Sequence, residues 1–580
     1  MILQALTEYY EALVRQGKLD RPGWSKVKVS YALELDAEGN LVRVHSLRQE
    51  VAQGRKQVVV PTDMKLPMQA KRSGLSIRPS FLCDNASYLL GIDDDNPKRA
   101  KERFTATKEF HLSLLQGINT NCGKSLCLFF EKWDPITAND RLKDCPYIDD
   151  IKAGANLVFL IDDTFAQTDP EIERAWQSTY DAETDSKELG RCLITGEKTT
   201  PEMTHPFIKG VPDAQPSGAA LVSFNAPAFC SYGKEQNLNA PVGKYAAFAY
   251  TSALNYLIAD RTHRKFFGDT VVAYWAENGE ADYQDAFSML MDCGGEGLTD
   301  TDLDDAMRRI SQGTAVTWQA GILDPEVRFY ILGIAPNAAR LSVRFFLRDT
   351  FGKMVEHLYL HTKQIEIIPD RKTESLMLPL WRLLKATVNE KSKDKTASPK
   401  MVGETLRAIL TGGRYPATLY QQVQLRIKAD REITWERMAI VKAFLLRNSK
   451  DEIIKEAMTV QLNDQTTYQP YVLGRLFAVL EAVQERANPG INATIKDKYF
   501  SSASATPAVV FPTLLNLKDK HIRKLDGGIK IYYEKQVSEL MLLLREDYPT
   551  HLSLQDQGVF QIGYYHQKQK RFEKKNQEEA

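Results

Sequence analysis

The sequence predicts an α+β protein in which a mixed helix-and-strand N-terminal domain precedes an all-α C-terminal helical bundle. Three observations carry that expectation. Short runs rich in β-branched residues, bounded by turn formers, are scattered through the first part of the chain. Beyond residue 400 the apolar residues recur at helical spacing. Between the two lies NEKSKDKTASPK (389–400), which holds no large apolar residue and carries a proline near its end. The expected division is therefore 1–388, a linker at 389–400, and 401–580.

Taken in order, the first element is a helix through about Val14, which stops near Gly17. KVKVSYALEL and LVRVHSL flank the turn residues of DAEGN and read as a β-hairpin, with RKQVVVP as a third short strand. Lys98 to Leu115 has helical periodicity. NLVFLID (156–162) and ALVSF (220–224) read as buried strands, and KYAAFAYTSALNYLIA (244–259) as a core helix. VRFYILGIAP and ARLSVRFFLRD form an antiparallel pair that leads into a helix through His361. In the last part, Val472, Leu473, Leu476, Phe477, Leu480 and Val483 line one face of a helix, and Ile529, Tyr533, Val537, Leu540 and Leu544 repeat the pattern.

A chain of 580 residues exceeds what a single core usually supports, which agrees with at least two domains. The 43% apolar content is that of a folded protein. Seven cysteines without CxxC spacing fit reduced thiols in cytosol better than a disulfide framework. The N-terminal MILQALTEYYEALVRQG mixes charge with apolar residues, unlike a secretory signal. The uncharged stretch from Tyr245 to Ala259 is shorter than the roughly 20 residues that span a bilayer. A soluble, cytoplasmic protein is expected.

With 75 basic and 75 acidic side chains, any nucleic-acid binding must come from local patches. Residues 401–580 carry 26 Lys+Arg against 21 Asp+Glu, concentrated at 401–450, KDKHIRK (518–524) and KQKRFEKK (568–575). Any one such run reads as a solvated helix face, whereas several in one bundle also suit a track for phosphates; Tyr532, Tyr533, Tyr564 and Tyr565 nearby suit core packing first and base stacking second. A second patch spans Gly54 to Pro79, where Arg55, Lys56, Lys65, Lys71, Arg72 and Arg78 face one acid, Asp63. A basic loop of this kind can neutralise phosphates and present side chains to a groove, or be an ordinary exposed loop.

Catalytic signatures fail one by one. Gly123-Lys124-Ser125 lacks the earlier glycine of a phosphate-binding loop, since position 118 is Ile118. Asp300, Asp302 and Asp304 start like a calcium loop, but Asp305 and Ser311 stand where glycine and glutamate are needed, so these acids favour a helix N-terminus. Asp93-Asp94-Asp95 reads as a turn before Pro97. His357 and His361 share a helix face without an evident third ligand, and none of the nine histidines precedes an aspartate. No cofactor is expected.

Several segments together resemble the large-subunit family of type I-C CRISPR Cascade, the Csd-one family. They are KRSGLSIRPSFLCDNASYLLG (71–91), CLITGEKTTPEMTHPFIKG (192–210), SFNAPAFCSYGKEQNLNAPV (223–242), RLSVRFF (340–346), MAIVKAFLLR (438–447), PYVLGRLFAVLEAVQ (470–484), DKYFSSASATPAVVFPTLLNL (497–517) and QGVFQIGYYHQKQ (557–569). The resemblance implies a non-catalytic subunit of an RNA-guided surveillance complex. Such a subunit probes a short motif flanking the target, wedges the duplex open, guides the displaced strand and helps recruit a separate helicase–nuclease. Its implied partners are the CRISPR RNA, target duplex, the backbone and guide-end-binding subunits, and a small subunit that its own C-terminal bundle resembles. Internal translation from Met458 would yield that small subunit as a 123-residue fragment, with Met438 as the competing start.

Reading base edges needs Arg, Lys, Asn or Gln. In the first loop the candidates are Lys71, Arg72, Arg78 and Asn85, with Ser73-Gly74 permitting close approach. In the second they are Asn225, Lys234, Gln236 and Asn239, beside Asn237, although amides also cap turns in long ordered loops. Backbone or displaced-strand candidates are Lys518, Lys520, Arg523, Lys524, Lys568, Lys570 and Arg571, with His566 and Gln567 suited equally to strand contact or core packing. Two rival functions remain open: a metal-dependent nuclease built on His357 and His361, and a scaffold that never meets target DNA.

Overall fold

A computed structural model describes residues 2–53, 56–70, 77–182, 190–294, 298–319, 321–373, 375–392, 395–544 and 547–578. The fold is α+β: among the described residues, strands lie within the first 350 and helices alone follow. Two compact units form: Leu3–Pro206 with Val222–Ser252, and Phe207–Leu221 with Ala253–Ala580.

In the first unit, helix α1 (Ile2–Arg15) buries Leu6, Tyr9, Tyr10 and Leu13 at helical spacing. Six strands follow: β1 (Trp24–Val29), β2 (Tyr31–Leu35), β3 (Leu41–Ser46), β4 (Gln49–Gln53), β5 (Lys56–Val60) and β6 (Thr62–Pro67). Short helix α2 (Ala86–Leu89), then α3 (Pro97–Leu115) and α4 (Asn121–Lys132), precede β7 (Leu157–Ile161) and α5 (Pro170–Ala182). Strand β2 pairs antiparallel with β3 and parallel with β7. Alternation sends Tyr31, Leu33 and Leu35 into a core with Phe81, Phe104, Phe129, Phe130 and Trp176, while Ala32 joins Val27, Val29 and Leu66 on the other side. The expected hairpin of β2 and β3 is present. KVKVSYALEL, however, is broken at Ser30, and its first half becomes β1, which pairs with β6 in a separate two-stranded ribbon. RKQVVVP supplies β5, paired with β4.

Helix α6 (Lys244–Ala259) has the bounds its periodicity predicts. ALVSF is not a strand. Only Ala219 and Ala220 make isolated bridges, to Ile208 and Arg340, because the segment then turns out through Asn225 and Pro227 into a long loop.

The second unit begins with a four-stranded antiparallel sheet of β8 (Arg264–Phe267), β9 (Thr270–Ala276), β10 (Arg328–Asn337) and β11 (Arg340–Thr350), in that spatial order. Strand β9 is buried along its whole length, and Trp275 stacks on Tyr330 at 5.3 Å. Helix α7 (Asp300–Ser311) starts with a capping box in which Thr299 and Asp302 satisfy each other's backbone N–H groups, so the acids serve a helix start as expected. Helices α8 (Phe351–Ile365), α9 (Leu380–Lys385), α10 (Pro399–Leu410), α11 (Ala417–Asp430), α12 (Trp435–Asn448) and α13 (Glu452–Ala457) lead to α14 (Gln469–Ala487), α15 (Ile495–Ala505), α16 (Pro507–Ile522), α17 (Gly527–Leu543) and α18 (Leu554–Glu578).

The division expected at 389–400 falls inside this second unit, whose core runs without interruption from Phe267 to Tyr565. Trp435 Nε1 donates to the Ile367 carbonyl at 2.8 Å, Tyr565 Oη donates to the Ile368 carbonyl at 2.6 Å, and Arg371 and Arg382 both clasp Glu436. The polar stretch is a surface connection over a shared core, and composition alone does not distinguish that from a domain boundary.

Helix α14 is the axis of the bundle and packs against α15, α16, α17 and α18. From Pro470 to Val483 it is buried on all sides, rather than on the single face its apolar residues suggested. Its interior polar groups are accordingly paired: Arg475 Nε donates to Gln567 Oε1 at 3.0 Å, and Glu481 accepts from Thr494 and Tyr564, each at 2.6 Å. Where α14 crosses α18, Gly474 and Gly563 let the two backbones touch.

Candidate nucleic-acid interface

The first cationic surface arises from the β1–β6 ribbon. The alternation Lys26-Val27-Lys28-Val29 buries both valines and leaves both lysines exposed. Lys26 lies opposite Lys65 across the ribbon, and Lys28 lies opposite Asp63. Lys65 Nζ sits 5.1 Å from the centre of the Trp24 ring and 3.9 Å from Glu173, so its charge is partly shared. Lys26 and Lys28 were absent from the sequence-based set. Their signal was the strict K-V-K-V alternation, which marks an edge with one charged face.

Strand β6 feeds the segment that carries Lys71 and Arg72, and both of these residues lie outside the described part of the structure. The ends of that segment meet: the Ala70 N–H donates to Ser80 Oγ at 3.2 Å, and the Ser80 N–H donates to Asp84 Oδ2 at 3.1 Å. Arg78 is exposed on the returning limb. Beyond it Leu82 adopts a left-handed backbone (φ 61°), and its N–H donates to His111 Nε2 at 2.9 Å. His111 Nδ1 donates to the Thr107 carbonyl at 2.8 Å, which fixes the neutral tautomer. Asn85 is half-buried and N-caps α2, its Oδ1 accepting from Ser87 N–H at 3.1 Å and from Ser87 Oγ at 2.9 Å. That oxygen is engaged by the fold, which gives Asn85 a structural job beside the base-reading one expected of it.

The second loop is held by amides. Asn239 Oδ1 accepts from the Ser231 N–H at 2.8 Å, and Nδ2 donates to the carbonyls of Lys234 (3.1 Å) and Gln236 (2.9 Å). Asn239 is thereby saturated as a staple. Asn237 is buried and donates to the Glu202 carbonyl at 3.2 Å. Asn225, Lys234 and Gln236 are exposed, and so is Tyr232 at 99%, a residue the sequence reading passed over. The two loops rest on separate anchors, one on β6 and α3, the other on the Glu202 segment.

The C-terminal cations divide into two groups. Lys518 pairs with Asp519 (2.7 Å), Lys524 donates to Asn488 (3.0 Å), Arg571 pairs with Glu485 (3.1 Å), and Lys568 lies 5.6 Å from the centre of the Tyr564 ring. Lys520, Arg523 and Lys570 are exposed without an ion pair to any described residue. Tyr564 and Tyr565 are core residues, whereas Tyr532 remains 44% exposed. His566 is buried with Nδ1 2.8 Å from the Tyr471 hydroxyl, and Gln567 faces Arg475, so both belong to packing rather than to a strand-facing surface.

His357 and His361 do not converge on a common centre. His357 Nδ1 donates to the Leu410 carbonyl at 2.7 Å, and His361 Nδ1 lies 2.6 Å from the Tyr415 hydroxyl in the core. They pin α8 to the end of α10 and its following turn. No group of three metal-ligating side chains occurs among the described residues. No described helix is long and apolar enough to cross a membrane.

Burial sets the acid sensitivity of this framework. Desolvation lowers His111 to about 4, and lowers His361 and His566 to about 3. The unfolded chain binds protons at these imidazoles near pH 6.5, whereas the folded chain refuses them until the lower values. Stability is therefore full above pH 6.5 and is lost as pH falls towards 3 to 4. Each histidine is expected to cost about 2 kcal/mol between pH 7 and pH 5, read as a falling urea midpoint.

The family model described as CRISPR-associated protein (Cas_Csd1) matches residues 6–572. Comparison with curated proteins returns no match.

Proposed function

This chain belongs to the CRISPR-associated Csd1 family, and from that premise we propose that it is the non-catalytic large subunit of a type I-C Cascade surveillance complex. In this reading it recognises the motif flanking a target in duplex DNA, promotes strand separation and R-loop formation, steers the displaced strand and helps recruit the helicase–nuclease. The observation that carries the reading is the family match over almost the whole chain.

The physical division of labour is simple. Pairing with the guide RNA reads the target sequence, but a guide cannot pair until the first base pairs part. Protein must therefore hold the duplex, check the flank and stabilise the opening. Exposed Lys26 and Lys28, on a ribbon leading directly into the Lys71–Arg72 segment, suit contact with phosphates. Exposed Lys234 and Gln236, on a loop braced by Asn239, suit contact with base edges. Lys520, Arg523 and Lys570 on the helical bundle suit the displaced strand. The chain works by binding and forms no covalent bond with the DNA.

The helical bundle also bears on the small subunit. Met458 is the C-cap of α13, between helices, whereas Met438 lies inside α12. Translation from Met458 would give a chain holding α14 to α18 whole, including the Gly474–Gly563 crossing; a start at Met438 would cut α12. The Met458→Leu gene is expected to yield full-length chain and no short product by mass spectrometry of the purified complex. A wild-type gene that yields full-length chain alone contradicts this part of the proposal.

A further inference from the structure

Tyr232 is 99% exposed at the tip of the second loop. It has a left-handed backbone (φ 54°), as does Gly233 after it (φ 68°), and the Lys234 N–H donates to the Ser231 carbonyl at 3.0 Å. Ser231 to Lys234 is thus a tight turn with both central residues at positive φ. Such turns are dominated by glycine, asparagine and aspartate, because a β-carbon is strained there. A bulky aromatic at the first central position is disfavoured by the backbone and gains nothing from burial. The fold supplies no reason for this side chain.

The turn is nevertheless held firmly. Asn239 binds the Ser231 N–H and the carbonyls of Lys234 and Gln236. Two further backbone bonds, Leu238 N–H to Glu235 O at 3.1 Å and Ala240 N–H to Asn237 O at 3.0 Å, continue the brace, and buried Asn237 ties it to Glu202. A ring presented with its faces open on a braced, strained turn is pre-organised for a ligand that stacks. Its immediate neighbours are Ser231, Gly233, Lys234, Glu235 and Gln236, all exposed. None of these five supplies the apolar rim that seals a protein–protein hot spot, and the exposed aromatic nearest in sequence is Phe229, 45% exposed. An aromatic ring with a cation two residues away is instead the pairing that accepts a base and its phosphate.

We infer that Tyr232 is a stacking platform for an unpaired nucleobase at the point where the target duplex first opens. The inference rests on the duplex-opening reading above and assigns that reading a residue. Stacking lowers the free energy of the opened state and leaves the paired state untouched, so its effect falls on opening rather than on duplex docking. Every base has a stacking face, so the contact tolerates any sequence at that position.

The test uses the assembled complex with wild-type, Tyr232→Ala or Tyr232→Phe chain, and 2-aminopurine at the first target positions to report unstacking. Two substrates are compared: a fully paired target, and the same target with its first pairs mismatched and already open. On the paired target, Tyr232→Ala is expected to slow opening by about 10-fold while Tyr232→Phe stays within about twofold of wild type. On the pre-opened target all three are expected to converge. If Tyr232→Ala matches wild type on the paired target while omission of the chain abolishes opening, the inference is overturned and the duplex-opening reading stands. If omission of the chain leaves opening unchanged, that reading fails and the inference with it. If Tyr232→Ala chain folds with an unchanged melting temperature but no longer enters the complex, the ring is a protein contact and the inference is overturned.

Discussion

Reversing Lys26, Lys28, Lys71 and Arg72 to glutamate is expected to weaken binding of target duplex by the assembled complex by about 100-fold at physiological salt. The size follows from counterion release. Each phosphate neutralised contributes about 0.9 to the slope of log affinity against log salt, so losing four contacts should flatten that slope by between 3 and 4, roughly. Lys26 and Lys28 are exposed on a strand whose inward residues, Val27 and Val29, are left alone, so folding should be spared. The loss should be uniform across DNA sequences, because phosphate contacts carry no sequence information. Replacing Gln236 with alanine should instead relax discrimination of the flanking motif with a smaller loss of overall affinity. Unchanged duplex binding by the fourfold reversal would remove the ribbon and its following segment from the interface.

The second large effect concerns the helical bundle. A β-carbon at Gly474 would lie 2.0 Å from the Phe560 carbonyl oxygen, and one at Gly563 would lie 2.2 Å from that of Tyr471. Both obstacles are backbone atoms of a facing helix, so neither can swing aside as a side chain would. Relief requires α14 and α18 to separate along a seam that holds Leu473, Phe477, Phe560 and Tyr564. Gly474→Ala or Gly563→Ala is expected to destabilise the protein by about 3 kcal/mol, seen as a lower denaturant midpoint. Gly403→Ala is the control: it lies within α10 with open space around it and should stabilise by about 1 kcal/mol through helix propensity. Equal effects at all three positions would mean that the close crossing is not what these glycines serve.

Much of the architecture was legible from local pattern. The bounds of α6, the β10–β11 pair and the helix after it all follow from local pattern: α6, β10 and the helix bury apolar residues along most of their length, while β11 buries only Leu341 and Phe345 and is marked by its β-branched and aromatic composition. What was not legible depended on partners distant in sequence. KVKVSYALEL divides at Ser30 because its halves pair with β6 and with β3 and β7, which no local pattern announces. The 389–400 stretch resembles a linker by composition, yet Trp435, Tyr565 and Glu436 bind residues on its far side. The candidate surface divided in the same way. Cationic runs were visible as charge, and so was Asp519 beside Lys518, but Lys524 and Arg571 pair with neighbours that only folding supplies. Asn239 looked like a base reader by residue type and is a loop staple by geometry. Tyr232 gave no signal in sequence, since exposure and a left-handed backbone are properties of the folded loop.

The role proposed for this polypeptide is to make duplex targets accessible to a guide. The decisive measurement reconstitutes the guide RNA with its companion subunits, with and without this chain, and follows R-loop formation on a supercoiled target with permanganate footprinting. Opening that requires the chain, requires the flanking motif and leaves every phosphodiester intact is the predicted result. Opening that proceeds equally well without the chain, or strand scission by the chain alone in the presence of divalent metal, would contradict it.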